Sequence, residues 1–306
     1  SEVERLTGND GPNVYHALVA DAQGRLRLVW QGFRQGRWQI LHKRWDGKQW
    51  SGEAVVSQGP GDHWLPAAAT DSKGNVWIGW DSYQNGNFDV YVRRLSASGQ
   101  AGAPIPVTRS AGFDANVSLA VDRADRLWIS WDAGDANWCK DWTSLRHRPG
   151  GGNGLYRARA VRVACLEGNQ LRAPEADIMT AIPAEYRDYF QMARLQPDAA
   201  GRIWALGRSL TSFNTRVQNN WGAGGRWEPV LTALEGDRWL PAVKLESSAG
   251  RNDVRAASAV TPDGHVWFAW AGLLFGRQGV EFLSHHSLLR PVMSVVQSVP
   301  NKNLTP

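Results

Sequence analysis

Three aspartates and one histidine, Asp114, Asp188, Asp253 and His63, are the residues here best suited to moving protons. Two carboxyls held a few ångströms apart can act as acid and base, or as acid and nucleophile, in glycosidic-bond cleavage. A histidine beside them can tune a neighbour or take the proton itself. The sequence also sets aromatic faces next to hydrogen-bonding groups. Asp62-His63-Trp64 and Tyr186-Arg187-Asp188-Tyr189 are two such runs. Asn137, Trp138, Lys140, Asp141 and Trp142 form a third, and Asn214, Asn219, Asn220 and Trp221 a fourth. Rings that stack on C–H faces, flanked by Asn, Asp and Arg for the hydroxyls, suit a carbohydrate or similar polar ligand. The competing explanation is that Asn and Asp cap turns here and the aromatics pack.

What could bring such distant residues together is a repeat. Ala68-Ala69-Thr70-Asp71-Ser72-Lys73-Gly74-Asn75-Val76-Trp77-Ile78-Gly79-Trp80 gives the template. It recurs around Gly24, Asp125, Gly201 and Gly264. The turn position is Gly or Asp, as a tight turn with positive φ demands. Three residues later comes Trp77, Trp128, Trp204 or Trp267, with Arg27 the exception. Six residues later comes Trp30, Trp80, Trp131 or Trp270, with Gly207 the exception.

Each copy reads as strand, turn and a second strand apolar on both faces. Third strands are predicted at Trp38–Arg44, Phe88–Arg94, Tyr156–Val163, Trp227–Leu234 and Val280–His286. Weaker fourth strands are predicted at Ala54–Ser57, Ile105–Thr108, Asp177–Thr180 and Val243–Ser247. Four antiparallel strands per unit predict an all-β, five-bladed β-propeller in a single domain spanning 1–306. The blades fall at about 12–60, 61–112, 113–185, 186–247 and 248–300, the third lengthened by an insertion at 132–154. The ring would close by a terminal strand. Glu2–Thr7, within 1–11, and Pro291–Ser298 both qualify as its fourth strand, and the sequence does not choose between them.

In such a ring, one rim would gather residues at fixed steps before each turn. Eleven back stand Asn13, His63, Asp114, Phe190 and Asp253, and nine back Tyr15, Leu65, Asn116, Met192 and Arg255. In a regular strand these two positions share a face. The site candidates are therefore Asp114, Asp253, Asp188 and His63 for catalysis. For ligand binding they are Asn13, Tyr15, Asp62, Trp64, Asn116, Trp138, Arg187, Tyr189, Trp221 and Arg255.

Composition narrows the classes. The chain is 42% hydrophobic and 21% charged, which excludes a disordered or collagen-like polymer. No apolar run nears the roughly 18 residues a membrane helix needs. Net charge is +5, but basic residues are interleaved with acids, so no nucleic-acid footprint stands out. The only two cysteines, Cys139 and Cys165, lack zinc-site spacing. A disulfide pinning the insertion to the sheet is favoured over two free thiols. No cofactor is expected. Asp81, Asn85, Asn87 and Asp89 loosely imitate a calcium loop, but an Asn-Gly hairpin tip explains them without an ion. His285-His286 would point to opposite faces of a strand, which disfavours a metal pair. No Walker, nucleophile-elbow or dinucleotide fingerprint is present.

Trp80-Asp81-Ser82-Tyr83-Gln84-Asn85-Gly86-Asn87-Phe88-Asp89-Val90-Tyr91 resembles a run in a bacterial exported propeller family. Asn137-Trp138-Cys139-Lys140-Asp141 resembles that family's N-W-G-K-D, with Cys in place of Gly. Many members carry the propeller upstream of a PHP-like metallophosphoesterase domain. The likeness covers roughly 12–170 well and the rest loosely. It implies a propeller fold, a secreted or periplasmic location after signal-peptide removal, and a catalytic domain or other protein as partner. It transfers no catalytic residue, because the phosphoesterase H-x-H motif is absent.

Three functions follow as expectations. The first is an exported module binding a glycan or other polar ligand at the channel mouth. The second is a glycoside hydrolase or polysaccharide lyase using the carboxylates and His63. The third is a protein-interaction scaffold anchored by Trp and Arg.

Overall fold

A computed structural model describes residues 3–8, 11–136, 138, 159–213, 225–245, 252–261, 266–273 and 292–296. The chain divides into two compact units, 1–174 and 175–306. Among the described residues no helix is long and apolar enough to cross a membrane.

The first unit holds three antiparallel sheets, each built from consecutive strands. Sheet 1 runs β1 (Asn13–Ala20), β2 (Leu26–Arg34), β3 (Arg37–Trp45) and β4 (Ala54–Val55). Sheet 2 runs β5 (Asp62–Thr70), β6 (Val76–Gln84), β7 (Asn87–Leu95) and β8 (Ile105–Pro106). Sheet 3 runs β9 (Asp114–Val121), β10 (Leu127–Ala133), β11 (Ala160–Glu167) and β12 (Gln170–Arg172). The opening strands are neighbours, with β5 beside both β1 and β9. Apolar faces meet between successive sheets: Val29, Ile40 and Val56 pack with Ile78, Trp80 and Leu95. Val90 and Val92 pack likewise with Val117, Leu127 and Ile129.

The second unit opens with a 3-10 turn (Ile178–Thr180) and the one-turn helix α1 (Ala184–Arg187). Sheet 4 follows as β13 (Gln191–Pro197), β14 (Ile203–Phe213), β15 (Gly225–Glu235) and β16 (Arg238–Trp239). β17 (Val243–Lys244) also pairs with β15. Sheet 5 has β18 (Asn252–Val260), β19 (Val266–Leu273) and β20 (Val292–Val296). Trp204, Leu206 and Leu231 pack against Phe268 and Trp270.

The repeat is local chemistry. Asp122 accepts the backbone N–H groups of Ala124 and Arg126, the Arg126 guanidinium and the Trp128 indole. Asp198 does the same with Ala200, Arg202 and Trp204. Burial would raise both carboxyls, yet these donors together hold them below their ordinary range. The turn residues Gly24, Gly74, Asp125 and Gly201 all have positive φ, as read from sequence. Arg27, the exception at the first Trp position, is buried and donates to the carbonyls of Ser96 and Ala97, tying sheet 1 to sheet 2. The Ser and Thr at the ends of fourth strands also have a job. Ser57 accepts the Ile40 N–H and Thr108 accepts the Val90 N–H, just where strand pairing stops.

Four expectations change. Asp177–Thr180 is a 3-10 turn capped by Asp177 rather than a strand, and β12 takes the fourth place of sheet 3. Pro291–Ser298 does not supply a fourth strand, because its 292–296 core pairs directly with β19. Val3–Gly8 of the other closing candidate belongs to no sheet. The Cys139–Cys165 bridge is not formed: Cys165 is a free thiol buried in β11, and burial pushes it up to about 11. Cys139, Asn137, residues 140–142, Val280–His286 and the His285-His286 pair lie outside the described residues.

Candidate functional site

In sheets 1, 2 and 3 the residue eleven before the turn faces the second Trp of its own sheet. Asn13 Oδ1 accepts the Trp30 indole N–H at 2.9 Å, together with Arg34. Asp114 Oδ1 accepts the Trp131 indole at 2.9 Å, and its Oδ2 accepts Ser110 Oγ–H at 2.6 Å. Phe190 fills the space in front of Gly207, where an added Cβ would run into its ring. His63 breaks the pattern. It stands edge-on to Trp80, ring centroids 6.2 Å apart, and makes no hydrogen bond to it.

The column nine residues back is a β-bulge. Tyr15, Leu65, Asn116 and Met192 have φ of 49°, 50°, 62° and 57°. Register slips at or beside each of them. The expectation that the two columns share a face assumed a regular pleat, and the bulge breaks that alternation. In β5 and β9 its freed N–H groups are taken up by the preceding sheet. Gln31 Oε1 accepts the Leu65 N–H at 3.2 Å, and Asp81 accepts those of Asn116 and Val117 at 2.7 and 3.2 Å. Asn116 Nδ2 in turn donates to Asp132 at 2.8 Å.

The remaining candidates divide. Tyr15 is 48% exposed. Asp62 accepts the Trp38 N–H at 2.8 Å. Trp64 stacks on Tyr83 with centroids 6.4 Å apart, and its buried indole N–H has no partner. Trp138 is buried against Phe88 and Phe113 and donates to Asn87, so it packs the insertion instead of offering an open face. In the second unit Arg187 donates to the Ile182 carbonyl, Asp188 caps α1 and is exposed, and Tyr189 is half-buried. Asp253 and Arg255 are placed on β18 by their backbone alone. Trp221, with Asn214, Asn219 and Asn220, lies outside the described residues. The calcium-like oxygens are dispersed. Asp81 serves the β9 bulge, Asn85 sits at the hairpin tip with φ 53°, Asn87 binds the Ser110 carbonyl, and Asp89 accepts Thr108 Oγ–H. Among the described residues no group of three His, Cys, Asp or Glu could hold a metal ion.

One cavity in the first unit is built from groups with spare hydrogen-bonding capacity. It measures about 230 Å³ and lies between β3, the segment after β4 and the start of β5. Arg37 and Gln39 form one wall, Ser57 and Gln58 another, and His63 closes the bottom. His63 is 2% exposed and neither ring nitrogen has a partner. Burial pushes its imidazole down to about 4, and Arg37 adds to the effect. Asp62 and the Gly59 backbone, the latter close by but outside hydrogen-bonding geometry, offset this in part. At neutral pH the ring is uncharged, with one donor and one acceptor to offer. Arg37 uses one N–H on the Gly59 carbonyl at 3.1 Å. Sequence reasoning reached His63 and missed Arg37, Gln39 and Gln58, because these sit on the third strand and a connecting segment, off the repeat columns. Ser57 was visible only as a strand end.

The sheets, their side-by-side opening strands and their shared interfaces define a propeller-like all-β fold. No protein-family model and no curated protein sequence matches the chain. Among solved structures it is similar to a protein of unknown function from Dyadobacter fermentans, at TM-score 0.57 and 10% identity over 86% of this chain and 76% of that one. It is also similar to an endo-arabinase from Bacteroides thetaiotaomicron, at TM-score 0.51 and 11% identity over 92% and 93%. A polysaccharide lyase described as an ulvan lyase matches at TM-score 0.54 and 12% identity over 89% and 68%. At these identities the likeness concerns the fold.

Proposed function

We propose that the chain is an exported five-bladed β-propeller that binds a glycan in the cavity beside His63. The observation that carries this is a fully buried imidazole, unpartnered at both nitrogens, at the bottom of a cavity with polar walls. Buried polar groups are nearly always satisfied, and a ligand is one way to satisfy them. The volume lies below the roughly 300–1,000 Å³ of pockets that bury drug-sized ligands, which suits one sugar ring. The half-buried Trp64 follows His63 directly and stacks on Tyr83. The arabinase and lyase among the structural neighbours agree with a polysaccharide ligand. The module serves beside a catalytic partner, as in the exported family that roughly residues 12–170 resemble.

A second reading is an enzyme of the hydrolase or lyase kind. Burial raises the Asp114 carboxyl, and nearby Asp89 adds to the rise. Asp89 is itself raised by burial. A raised carboxyl is the direction a general acid requires. Against it, both Asp114 oxygens are already engaged by Trp131 and Ser110. A glycan panel scored for binding and for turnover separates the two. The binding reading expects binding without turnover, weakened by His63→Phe and unchanged by Asp114→Asn. Turnover abolished by Asp114→Asn with binding intact would establish the enzyme, and no binding to any glycan would overturn both.

A further inference from the structure

We infer that the His63 cavity recognises the carboxylate of an acidic sugar, a uronate, in preference to a neutral ring. This rests on reading the cavity as a ligand site and adds the chemical class of the ligand.

The argument is a count of donors and charges. Arg37 supplies the only formal charge among the lining residues, and no lining residue is acidic. Among the described residues no carboxylate pairs with Arg37, whose one hydrogen bond goes to a backbone carbonyl. Asp62, the nearest acid in sequence, is turned to the Trp38 N–H. Arg34, which pairs with Arg37 across the tip of the same β2–β3 hairpin, is held by Glu53 at 2.8 Å. Ser57 accepts from the Ile40 N–H, so its own hydroxyl proton is free to donate. His63 adds one N–H. The cavity therefore offers a guanidinium fork, a hydroxyl and an imidazole N–H, a set of donors that matches a carboxylate. Gln39, buried and donating through Nε2 to the Arg34 carbonyl, keeps its amide oxygen as an acceptor for a ring hydroxyl. His63 supplies a second acceptor. A neutral sugar would leave Arg37 without a counter-charge in a half-buried position.

The test uses the full chain and nuclear magnetic resonance of the His63 ring nitrogens. The probes are glucuronate, galacturonate and mannuronate, each beside its neutral parent sugar and beside a 6-sulfated hexose. At least one uronate should shift the His63 signals, with its parent sugar at least tenfold weaker. Arg37→Gln, a change on a partly exposed side chain, should weaken the uronate at least tenfold and leave the parent unchanged. Equal binding of uronate and parent overturns the carboxylate assignment while keeping the cavity as a glycan site. So does binding of the sulfated hexose alone. Uronate binding that ignores Arg37→Gln or leaves His63 unshifted places the ligand elsewhere and also overturns it. No shift with any probe overturns the ligand site itself.

Discussion

Asp81, at the end of the strand-two core of sheet 2, accepts the backbone N–H of Asn116 at 2.7 Å across the interface to sheet 3. The same carboxylate takes the Val117 N–H at 3.2 Å and is 1% exposed. Asp81→Ala would strand two buried donors, at about 1–3 kcal/mol each. Urea denaturation should show a loss of about 3 kcal/mol or more, with Asp81→Asn, which retains one acceptor, losing about half. A loss under ~1 kcal/mol for the alanine variant would mean the bulge is satisfied in another way.

Gly207 is paired with Phe190 as Trp131 is paired with Asp114. Gly207→Ala should destabilise by about 1–3 kcal/mol, because an overpacked core forces side chains off their rotamers. Adding Phe190→Leu should cost less than the sum of the two changes, since the sites share one volume. Additive losses in the double-mutant cycle would show that the ring does not fill the missing indole's place.

His42 and His63 are both held down to about 4, chiefly by burial. Their folded forms refuse protons that the unfolded chain accepts from about pH 6.5 downward. Stability should therefore fall between about pH 6.5 and 4, by roughly 3 kcal/mol per histidine when complete. Asp89 and Asp114, raised by burial, oppose this by taking protons first in the folded state. Chemical denaturation at pH 7, 5.5 and 4.5 checks the slope, and His63→Gln should reduce it. An equal slope in that variant would contradict a buried neutral ring.

Cys165 should resist thiol reagents in the native state and react on unfolding, since its thiol is buried and raised to about 11. Reductant should leave the melting temperature unchanged. A drop in melting temperature with reductant would restore the disulfide.

The repeat was legible because each turn is written locally. The first Asp of each Asp-x-x-Gly or Asp-x-x-Asp turn and the Arg or Asn that follows the turn satisfy one another within five residues, so spacing alone reveals them. The exceptions were legible only as exceptions. Arg27 departs from the Trp pattern because the carbonyls of Ser96 and Ala97, distant in sequence, accept its guanidinium, and Gly207 departs because Phe190 fills the space in front of it. The bulge was invisible for a different reason. Tyr15, Leu65 and Met192 are not residues that favour positive φ, and side-chain acceptors of the preceding sheet, unseen in the local sequence, hold the conformation at Leu65 and Asn116. Leu65→Gly should therefore hold or raise stability by up to about 1 kcal/mol, whereas Leu65→Ala should not. His63 was picked out by column, but its lack of a partner depended on where β3 and the segment after β4 run.

The most direct measurement is a crystal structure of the full chain with the tightest-binding glycan of the panel. The account predicts one sugar ring in the cavity between β3 and β5, with an oxygen within hydrogen-bond distance of a His63 ring nitrogen and another on Arg37. A ring seated elsewhere, or a water-filled cavity at saturating glycan, would contradict it.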